Sequence, residues 1–409
     1  PVLRAWGLAS LAHYTGISRT AASLDDATIR AITDVLNEVS QPFIDQEVQA
    51  LLKEQLPLVL DLDLAPRRVS NTSTTYPGAE YSWQDDRVGL GYDAALVALT
   101  SLRYGRLLLA GFHYPRNPIA LPRLQKMIFA AEARLGRRPK RRPKLIKKRL
   151  KPVRDRIKQR QRWLKAQLDR KRALLEQLDS LPGEIGRLEE EVAELETSYQ
   201  AEGREVKPYS RLARARRRLV SARKKLARAP ERLQQAEQAV ATHQERVDEL
   251  RAEYEALKAH QAQLEADNAA NPDPVKMIVR LDAGFGTDPN VTWLIEMGYI
   301  VYTKAFSAQV AAKMKAQVDP ETHWTRVGKN AEMVACGEGT MGKCPYPLTM
   351  ALERFHTPQG LKHSTLIAYR DDGLELTLPA WFDFYNARQI IEAGIKEGNV
   401  VFKMHPLKM

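Results

Sequence analysis

The chain has 409 residues, of which 44% are hydrophobic and 28% are charged, and its formal net charge is +13. This length allows two or three domains, and the hydrophobic fraction is sufficient for a core. No run of about 18 apolar residues occurs, so we expect no membrane-spanning helix. The chain begins at Pro1 rather than Met, so we expect a piece of a longer protein.

The N-terminal region, residues 1–57, is predicted to be helical. Apolar residues recur at helical spacing in the segment SLDDATIRAITDVLNEV, which begins at Ser23. Ser23 and Asp26 indicate a capping box at the start of this helix. Pro42 is expected to end it, because proline lacks the backbone N–H that a helix interior uses.

The next region, residues 58–136, has the texture of strands followed by a helix. Asp61 and Asp63 interrupt its first strand, LVLDLDL. Because side chains alternate along a strand, both carboxylates point to the same face. Taken singly, either one would be a solvated residue of an edge strand. The predicted strands cover 58–67, 88–100 and 105–112, and the helix covers 118–135 and stops at Gly136.

Residues 137–271 differ from the rest of the chain. From Leu212 onward, leucine and valine recur every seven residues, and a second position of the heptad is mostly alanine. A looser apolar repeat precedes the segment EGREVKPYS, which contains the turn residues Gly203 and Pro208. We therefore predict a long antiparallel helical hairpin with arms near 150–200 and 210–267.

The distribution of charged residues also agrees with the predicted hairpin. Residues 176–205 carry ten acids and two bases, and they would face residues 211–228, which carry nine bases and no acid. Residues 137–172 hold 19 lysines and arginines against two aspartates, which is a net +17 within a chain of +13. Such a surplus points to a polyanion as partner. We expect these cations to contact DNA phosphates; a solvated face or a loose tail is the alternative.

The C-terminal region returns to a globular pattern. Strands are predicted over 277–282 and 299–304, and the first of them ends at Asp282. Further antiparallel strands, including LELTL, and a turn at 371–373 are predicted before the last helix, YNARQIIEAGIKEG, which runs from Tyr385 to Gly398.

The acidic residues of these elements suggest one shared site. Asp61 and Asp63 lie in a strand, Asp282 closes another, and Glu392 lies on the last helix. Carboxylates that converge repel one another unless a cation compensates their charge. Mg²⁺ prefers such oxygen ligands, and a pair of Mg²⁺ ions supports phosphoryl transfer.

These motifs resemble the DDE transposases of bacterial insertion sequences that carry a YREK signature. Tyr385, Arg388 and Glu392 fit its spacing, whereas Asn399 stands where the signature has Lys. The resemblance implies an α/β RNase H-like (retroviral-integrase-like) core with a β-rich insertion, and the hairpin predicted from the heptad repeat would be a long antiparallel coiled-coil insertion in this core. It covers roughly residues 58–135 and 272–405.

The resemblance also implies roles for individual residues. Asp63 (or Asp61), Asp282 and Glu392 would bind Mg²⁺ or Mn²⁺ and catalyse DNA cleavage and strand transfer. The expected DNA-binding residues are Tyr385, Arg388, Lys396, Lys403, Trp324, Arg326 and Lys329, with Lys396 or Lys403 in place of the missing signature lysine. Trp324 would stack on an extruded base, and a packed strand tryptophan is the alternative.

The implied protein is cytoplasmic, bacterial and nucleoid-associated, binds transposon ends and target DNA, and acts as a homodimer to which the hairpin could contribute. A non-catalytic DNA-binding or architectural protein derived from a decayed transposase is one alternative, and another RNase H-like nuclease is a second. The predicted segments are an N-terminal helical region (1–57), a first core part (58–136), the basic segment with the hairpin (137–271), a second core part (272–304), a β-rich insertion (305–380), and the core helix with its following strand (381–409).

Overall fold

The computed structural model describes residues 19, 23–69, 78–84, 87–115, 120–358, 360–370 and 376–389. The chain forms two compact units, one from residues 1–142 and 267–409 and the other from residues 143–266. Within the described ranges, no helix combines the length and the apolar character needed to cross a bilayer.

The described residues contain seven α-helices and ten strands. The helices are α1 (Asp26–Lys53), α2 (Leu121–Leu135), α3 (Pro143–Ala201), α4 (Arg211–Ala269), α5 (Asp288–Glu296), α6 (Ala308–Gln317) and α7 (Leu378–Asn386). The strands are β1 (Leu58–Arg68), β2 (Glu80–Gln84), β3 (Arg87–Ser101), β4 (Gly105–Pro115), β5 (Met277–Leu281), β6 (Ile300–Lys304), β7 (Thr325–Arg326), β8 (Ala331–Gly339), β9 (Leu348–Thr357) and β10 (Gly360–Tyr369). Short 3₁₀ turns span Ala283–Phe285 and Ala387–Gln389.

All ten described strands belong to one mixed sheet in the first unit. Its order is β2-β3-β1-β5-β6-β10-β9-β8-β7, and β4 also pairs with β3. The β1–β5 and β5–β6 pairs are parallel, and the other pairs are antiparallel. The five strands predicted over 58–67, 88–100, 105–112, 277–282 and 299–304 all lie in this mixed sheet. The strands of the expected β-rich insertion extend this same sheet through the β6–β10 pair.

Helix α7 covers one face of the sheet. Its Trp381 and Tyr385 pack on Ile278 of β5, Tyr302 of β6 and Leu366 of β10, and all five side chains are buried. The burial of this apolar layer stabilises the placement of α7 by removing large aromatic surfaces from water. The 3₁₀ turn Ala387–Gln389, which follows α7, is thereby brought next to β1 and the end of β5.

The predicted boundaries of α1 are wrong at both ends. The N-cap is Asp25, whose carboxylate accepts from the Thr28 backbone N–H at 2.7 Å, rather than Ser23. Pro42 lies inside the helix, which continues to Lys53. An interior proline costs roughly 3 kcal/mol, and burial of a large aliphatic side chain contributes about 1.5–3 kcal/mol. The buried residues beyond the proline, Ile44, Val48 and Leu51, therefore outweigh it.

The prediction of a helix that starts at Tyr385 is also wrong. Thr377 caps α7, and the helix begins at Leu378, with a proline in its first turn that favours this start. The segment LELTL is predicted to be a strand. Its described residues, 376–378, instead lead into the start of α7, so the prediction is wrong for them. Residues 371–373 and the predicted site residues Glu392, Lys396, Lys403 and Asn399 lie outside the described residues.

The second unit consists of two antiparallel helices. Their seam buries leucines of both arms, including Leu181 and Leu188 of α3 and Leu212 and Leu219 of α4. Ion pairs join the arms near the turn, with Arg216 to Glu196 and Arg223 to Glu189 both at 2.6 Å, and farther along, with Lys171 to Glu237 at 2.9 Å and Arg156 to Glu253 at 3.1 Å. The two predicted arms and their matched charges are therefore present.

The first residues of the basic segment belong to the sheet-containing unit. Arg141 is 3% exposed, and its two terminal nitrogens donate to the Glu132 carboxylate at 2.7 Å each. Arg142 donates to the carbonyls of Ile295 at 2.7 Å and Tyr299 at 2.9 Å. These guanidinium groups hold α2 and α5 together, so Arg141 and Arg142 have structural contacts that leave the expected DNA contact to other cations of the segment.

Candidate active site

Charged side chains form a row on the sheet face that α7 covers. The β1–β5 register places Asp61 opposite Arg280 and Leu62 opposite Leu281. Because side chains alternate, Asp63 and Asp282 project on the same face as that first pair. Nη1 of Arg280 also donates to the Phe384 carbonyl of α7 at 2.6 Å. The row therefore lies between the sheet and the helix.

Asp61 is enclosed in a buried ion network. Arg280 donates from Nε to Oδ1 at 2.6 Å and from Nη2 to Oδ2 at 2.8 Å. Thr100 Oγ1 donates to Oδ2 at 2.9 Å, and Nε of Arg106 lies 2.8 Å from the same oxygen. Both oxygens of Asp61, which is fully buried, are engaged. The sequence left open which aspartate of β1 is the metal ligand, and this geometry favours Asp63.

Asp63, in the middle of β1, meets Asp282, which follows the last residue of β5. Arg388 bridges them, since Nη1 donates to Asp63 Oδ1 at 2.5 Å and Nη2 to Asp282 Oδ1 at 3.4 Å. The Asp63 side chain is 2% exposed, whereas that of Asp282 is 38% exposed. Three residues predicted for the site are thus brought together, and one carboxylate opens to solvent.

Tyr385 contacts both β5 and Arg388 beside this site. Its hydroxyl donates to the Leu281 carbonyl at 3.1 Å, and its side chain is almost fully buried. Burial raises the pKa of the Tyr385 phenol well above its ordinary value. The Arg388 guanidinium lies 5.6 Å from the centre of the ring. In this arrangement Tyr385 positions β5 and Arg388, and its hydroxyl faces the sheet rather than a DNA phosphate.

The residues expected in the β-rich insertion lie elsewhere. Trp324 packs with Val334 and Leu352, and the Arg354 guanidinium lies 4.1 Å from the centre of its indole. Strand β7, with Arg326, is five strand spacings from β5, or about 24 Å. The arrangement favours the packed-tryptophan alternative for Trp324. Arg326 and Lys329 are exposed near the same edge.

Sequence reasoning missed four charged residues on the covered face. Charged residues inside apolar strand runs are the signal that could have revealed Arg280 in MIVRL and Glu353 in LTMALERFH. Arg106 and Lys304 lie at strand ends, where cations are common, and only their contacts distinguish them.

The described residues offer two carboxylates for a divalent metal. Asp63 and Asp282 supply the oxygen ligands that Mg²⁺ prefers, and Arg388 now compensates their charge. No group of three or more His, Cys, Asp or Glu side chains suited to a metal occurs in the described ranges. The third expected ligand, Glu392, lies outside those ranges. The pair fits part of a metal site.

No protein-family model matches the chain, and no curated protein matches it. The function is therefore inferred from the chemistry of this site and from the residues that surround it.

Proposed function

We propose that this chain is a DDE transposase that cleaves and joins DNA strands at the ends of an insertion sequence by a cut-and-paste route. The observation that carries the proposal is the convergence of Asp63 and Asp282 on two adjacent parallel strands, where Asp63 lies within β1, Asp282 follows the end of β5, and Arg388 lies between the two carboxylates. Two carboxylates bridged by an arginine, one of them open to solvent, form a place where a metal ion and a phosphate can bind.

The sheet topology supports an RNase H-like core. Strands β4, β3 and β1 are antiparallel neighbours, and β5 and β6 continue the sheet in parallel to β1. The proposed coiled-coil insertion, helices α3 and α4, enters between α2 and β5 and leaves this sheet continuous.

The proposed metal ligands are Asp63, Asp282 and Glu392. A bound Mg²⁺ or Mn²⁺ would supply activation of a water or 3′-hydroxyl and stabilisation of the leaving oxygen. A cation held by Asp63 and Asp282 would compete with Arg388 for their oxygens and would displace its guanidinium where it took those oxygens. The displaced guanidinium can then donate two hydrogen bonds to a DNA phosphate.

The basic face of α3 is the proposed contact to the rest of the DNA. Four exposed lysines, Lys144, Lys147, Lys148 and Lys151, begin this face. Sequence-independent phosphate contacts of this kind position DNA and do not read its bases. Transposon ends and target DNA are the proposed partners, and a homodimer is the proposed assembly.

The test is a cleavage and strand-transfer assay on the ends of the native element, with and without Mg²⁺. Asp63→Asn, Asp282→Ala and Glu392→Gln are each expected to abolish Mg²⁺-dependent cleavage and joining, because the metals need all three carboxylates. DNA binding should persist, since it depends mainly on lysine and arginine contacts to phosphates.

Asp273→Asn is the matched control, because Asp273 forms an exposed ion pair with Arg137 at the surface. It should cleave at the wild-type rate. Wild-type cleavage by Asp282→Ala or Glu392→Gln would contradict the enzymatic proposal.

A second candidate is a non-catalytic DNA-binding protein derived from a transposase. The bridging position of Arg388 favours it, because the guanidinium contacts both aspartates and compensates part of their charge. Such a protein would bind DNA equally well with and without Mg²⁺ and would cleave in neither condition.

A further inference from the structure

Lys304 lies beside the proposed active site. It is the last residue of β6, and the β5–β6 register pairs Leu281 with Thr303. The next residues of these parallel strands, Asp282 and Lys304, are therefore neighbours at the same edge of the sheet. The Lys304 side chain is 21% exposed, so part of it is in contact with solvent.

The amine of Lys304 is held by a buried carboxylate. Its Nζ lies 3.0 Å from Oε2 of Glu353, which is fully buried on β9. Ser364 Oγ donates to the same oxygen at 2.7 Å. Burying a carboxylate costs free energy. The positive charge of Lys304, whose side chain is partly exposed, compensates the charge of Glu353.

Two aromatic rings also lie near the amine of Lys304. Nζ of Lys304 lies 4.8 Å from the centre of the Phe355 ring and 5.6 Å from that of Tyr385. Both rings attract the positive charge through their faces. The long and normally mobile lysine side chain is therefore fixed in one place, which lowers the entropy cost of using it to bind a ligand.

The described ion pairs of the covered face balance, with four acids and four bases, so they hold no surplus of positive charge for an incoming phosphate. Asp61 is already compensated by Arg106 and Arg280. Of the remaining groups, Asp63 and Asp282 share Arg388, and Glu353 holds Lys304. A DNA phosphate brought to the Asp63–Asp282 pair needs cationic contacts, and Lys304 is a fixed cation on the strand next to Asp282.

We propose that Lys304 binds a phosphate of the DNA strand held at the Asp63–Asp282 site, and that Glu353 is its positioning residue. This inference rests on the proposed function for the identity of the ligand. An ammonium group has three N–H donors, and Glu353 engages one of them, so others remain for phosphate oxygens.

The experiment measures the affinity of the full chain for a duplex that carries an end of the native element, in Ca²⁺, as a function of salt. The informative variant is the double substitution Lys304→Met with Glu353→Gln. Methionine keeps the apolar stem between the two rings, and glutamine avoids a buried unpaired charge. Lys304→Arg is the conservative variant, and Lys313→Met, at an exposed lysine of α6, is the control.

The double variant should unfold near the wild-type temperature and bind the duplex about tenfold more weakly at low salt. Its slope of log affinity against log salt should fall by about 0.9, because one phosphate is no longer neutralised. Lys304→Arg should keep the slope. Glu353→Gln alone should weaken binding with an unchanged slope, because the charge of Lys304 remains but its position does not. If Lys304 and Glu353 had only a structural role, the variants would not differ in the slope of log affinity against log salt while binding the duplex more weakly.

A folded double variant with wild-type affinity and slope would overturn the inference, as would an equally large decrease in Lys313→Met. The result is independent of the cleavage assay. If the wild-type protein binds the duplex and never cleaves it, the proposed enzymatic function fails, while the smaller slope of the double variant still assigns Lys304 to phosphate binding.

Discussion

Asp61 and Asp63 are two residues apart on one strand face, yet their surroundings give them different roles. Asp61 is enclosed by Arg280, Arg106 and Thr100, which engage both its oxygens. Asp63 contacts Arg388, which Asp282 shares. The first arrangement is that of a structural ion network, and the second is that of a site whose cation can exchange.

We expect Asp61→Asn to destabilise the protein by about 3–5 kcal/mol, because it leaves the buried Arg280 and the partly buried Arg106 without their compensating charge. Burial already lowers the pKa of Arg106, which shows the cost of holding its charge there. Urea unfolding monitored by circular dichroism would measure the change.

Asp273→Asn removes an exposed partner of Arg137 and should change stability by about 0–1 kcal/mol. Equal effects of the Asp61 and Asp273 substitutions would contradict a structural role for Asp61.

Arg388→Met should bind Mg²⁺ about tenfold more tightly than the wild-type protein, because the guanidinium no longer competes for Asp63 and Asp282. Without metal the variant should be less stable, since Asp63 is buried and loses its counter-ion. Thermal unfolding at increasing Mg²⁺ would measure both effects. A smaller Mg²⁺-dependent shift than in the wild-type protein would show that Arg388 does not occupy a metal position.

At the scale of single elements, the basic face of α3 and that of α4 have similar charge and different expected roles. Residues 144–151 begin α3, next to the sheet-containing unit in sequence. Near the turn of the hairpin, Arg214, Lys224, Lys225 and Arg228 of α4 are exposed as well. The two sets of cations make it possible to distinguish local phosphate binding from an effect of overall charge.

Replacement of Lys144, Lys147, Lys148 and Lys151 with glutamine should reduce the salt dependence of DNA binding, by about 0.9 in the log–log slope for each phosphate that is no longer neutralised. Titrations of fluorescent duplex at several salt concentrations would measure the slope. Glutamine at the four cations of α4 removes the same charge and should leave the slope unchanged. Equal slopes in both variants and the wild-type protein would mean that the α3 lysines remain solvated.

At the scale of the whole molecule, the chain leaves and re-enters the sheet-containing unit at neighbouring residues. The Arg141 backbone N–H donates to Asn268 Oδ1 at 2.7 Å, and Asn268 Nδ2 donates to the Arg141 carbonyl at 3.0 Å. These two hydrogen bonds close the sheet-containing unit where the hairpin begins and ends. Each unit buries its own apolar side chains.

Deletion of residues 143–266 with a short glycine linker should leave a folded protein that unfolds cooperatively, because the deletion removes one compact unit and keeps the ten-stranded sheet. Circular dichroism should show a large decrease in helix, and thermal unfolding should remain a single transition. An insoluble product would mean that the hairpin stabilises the sheet and that the two units are not independent.

The sequence alone was sufficient for the elements whose pattern is local. Alternation and β-branched runs predicted β1, β3, β4, β5 and β6, and heptad spacing predicted both arms of the hairpin. The sequence also indicated that an aspartate of β1 would lie near Asp282, but it left open whether this is Asp61 or Asp63. The residues that form these patterns lie within a few positions of one another, so their spacing can be recognised in the sequence.

Only the tertiary structure decided which charged residues act together. Asp61 and Asp63 are equivalent by spacing, and partners more than 30 residues away in sequence, on β3, β4 and β5, separate their roles. Lys304 meets Glu353 across 49 positions, and Arg388 meets Asp63 across 325. The position of Pro42 inside α1 likewise depends on the burial of residues beyond it. Burial and long-range pairing set these outcomes, and neither leaves a periodic trace in the sequence.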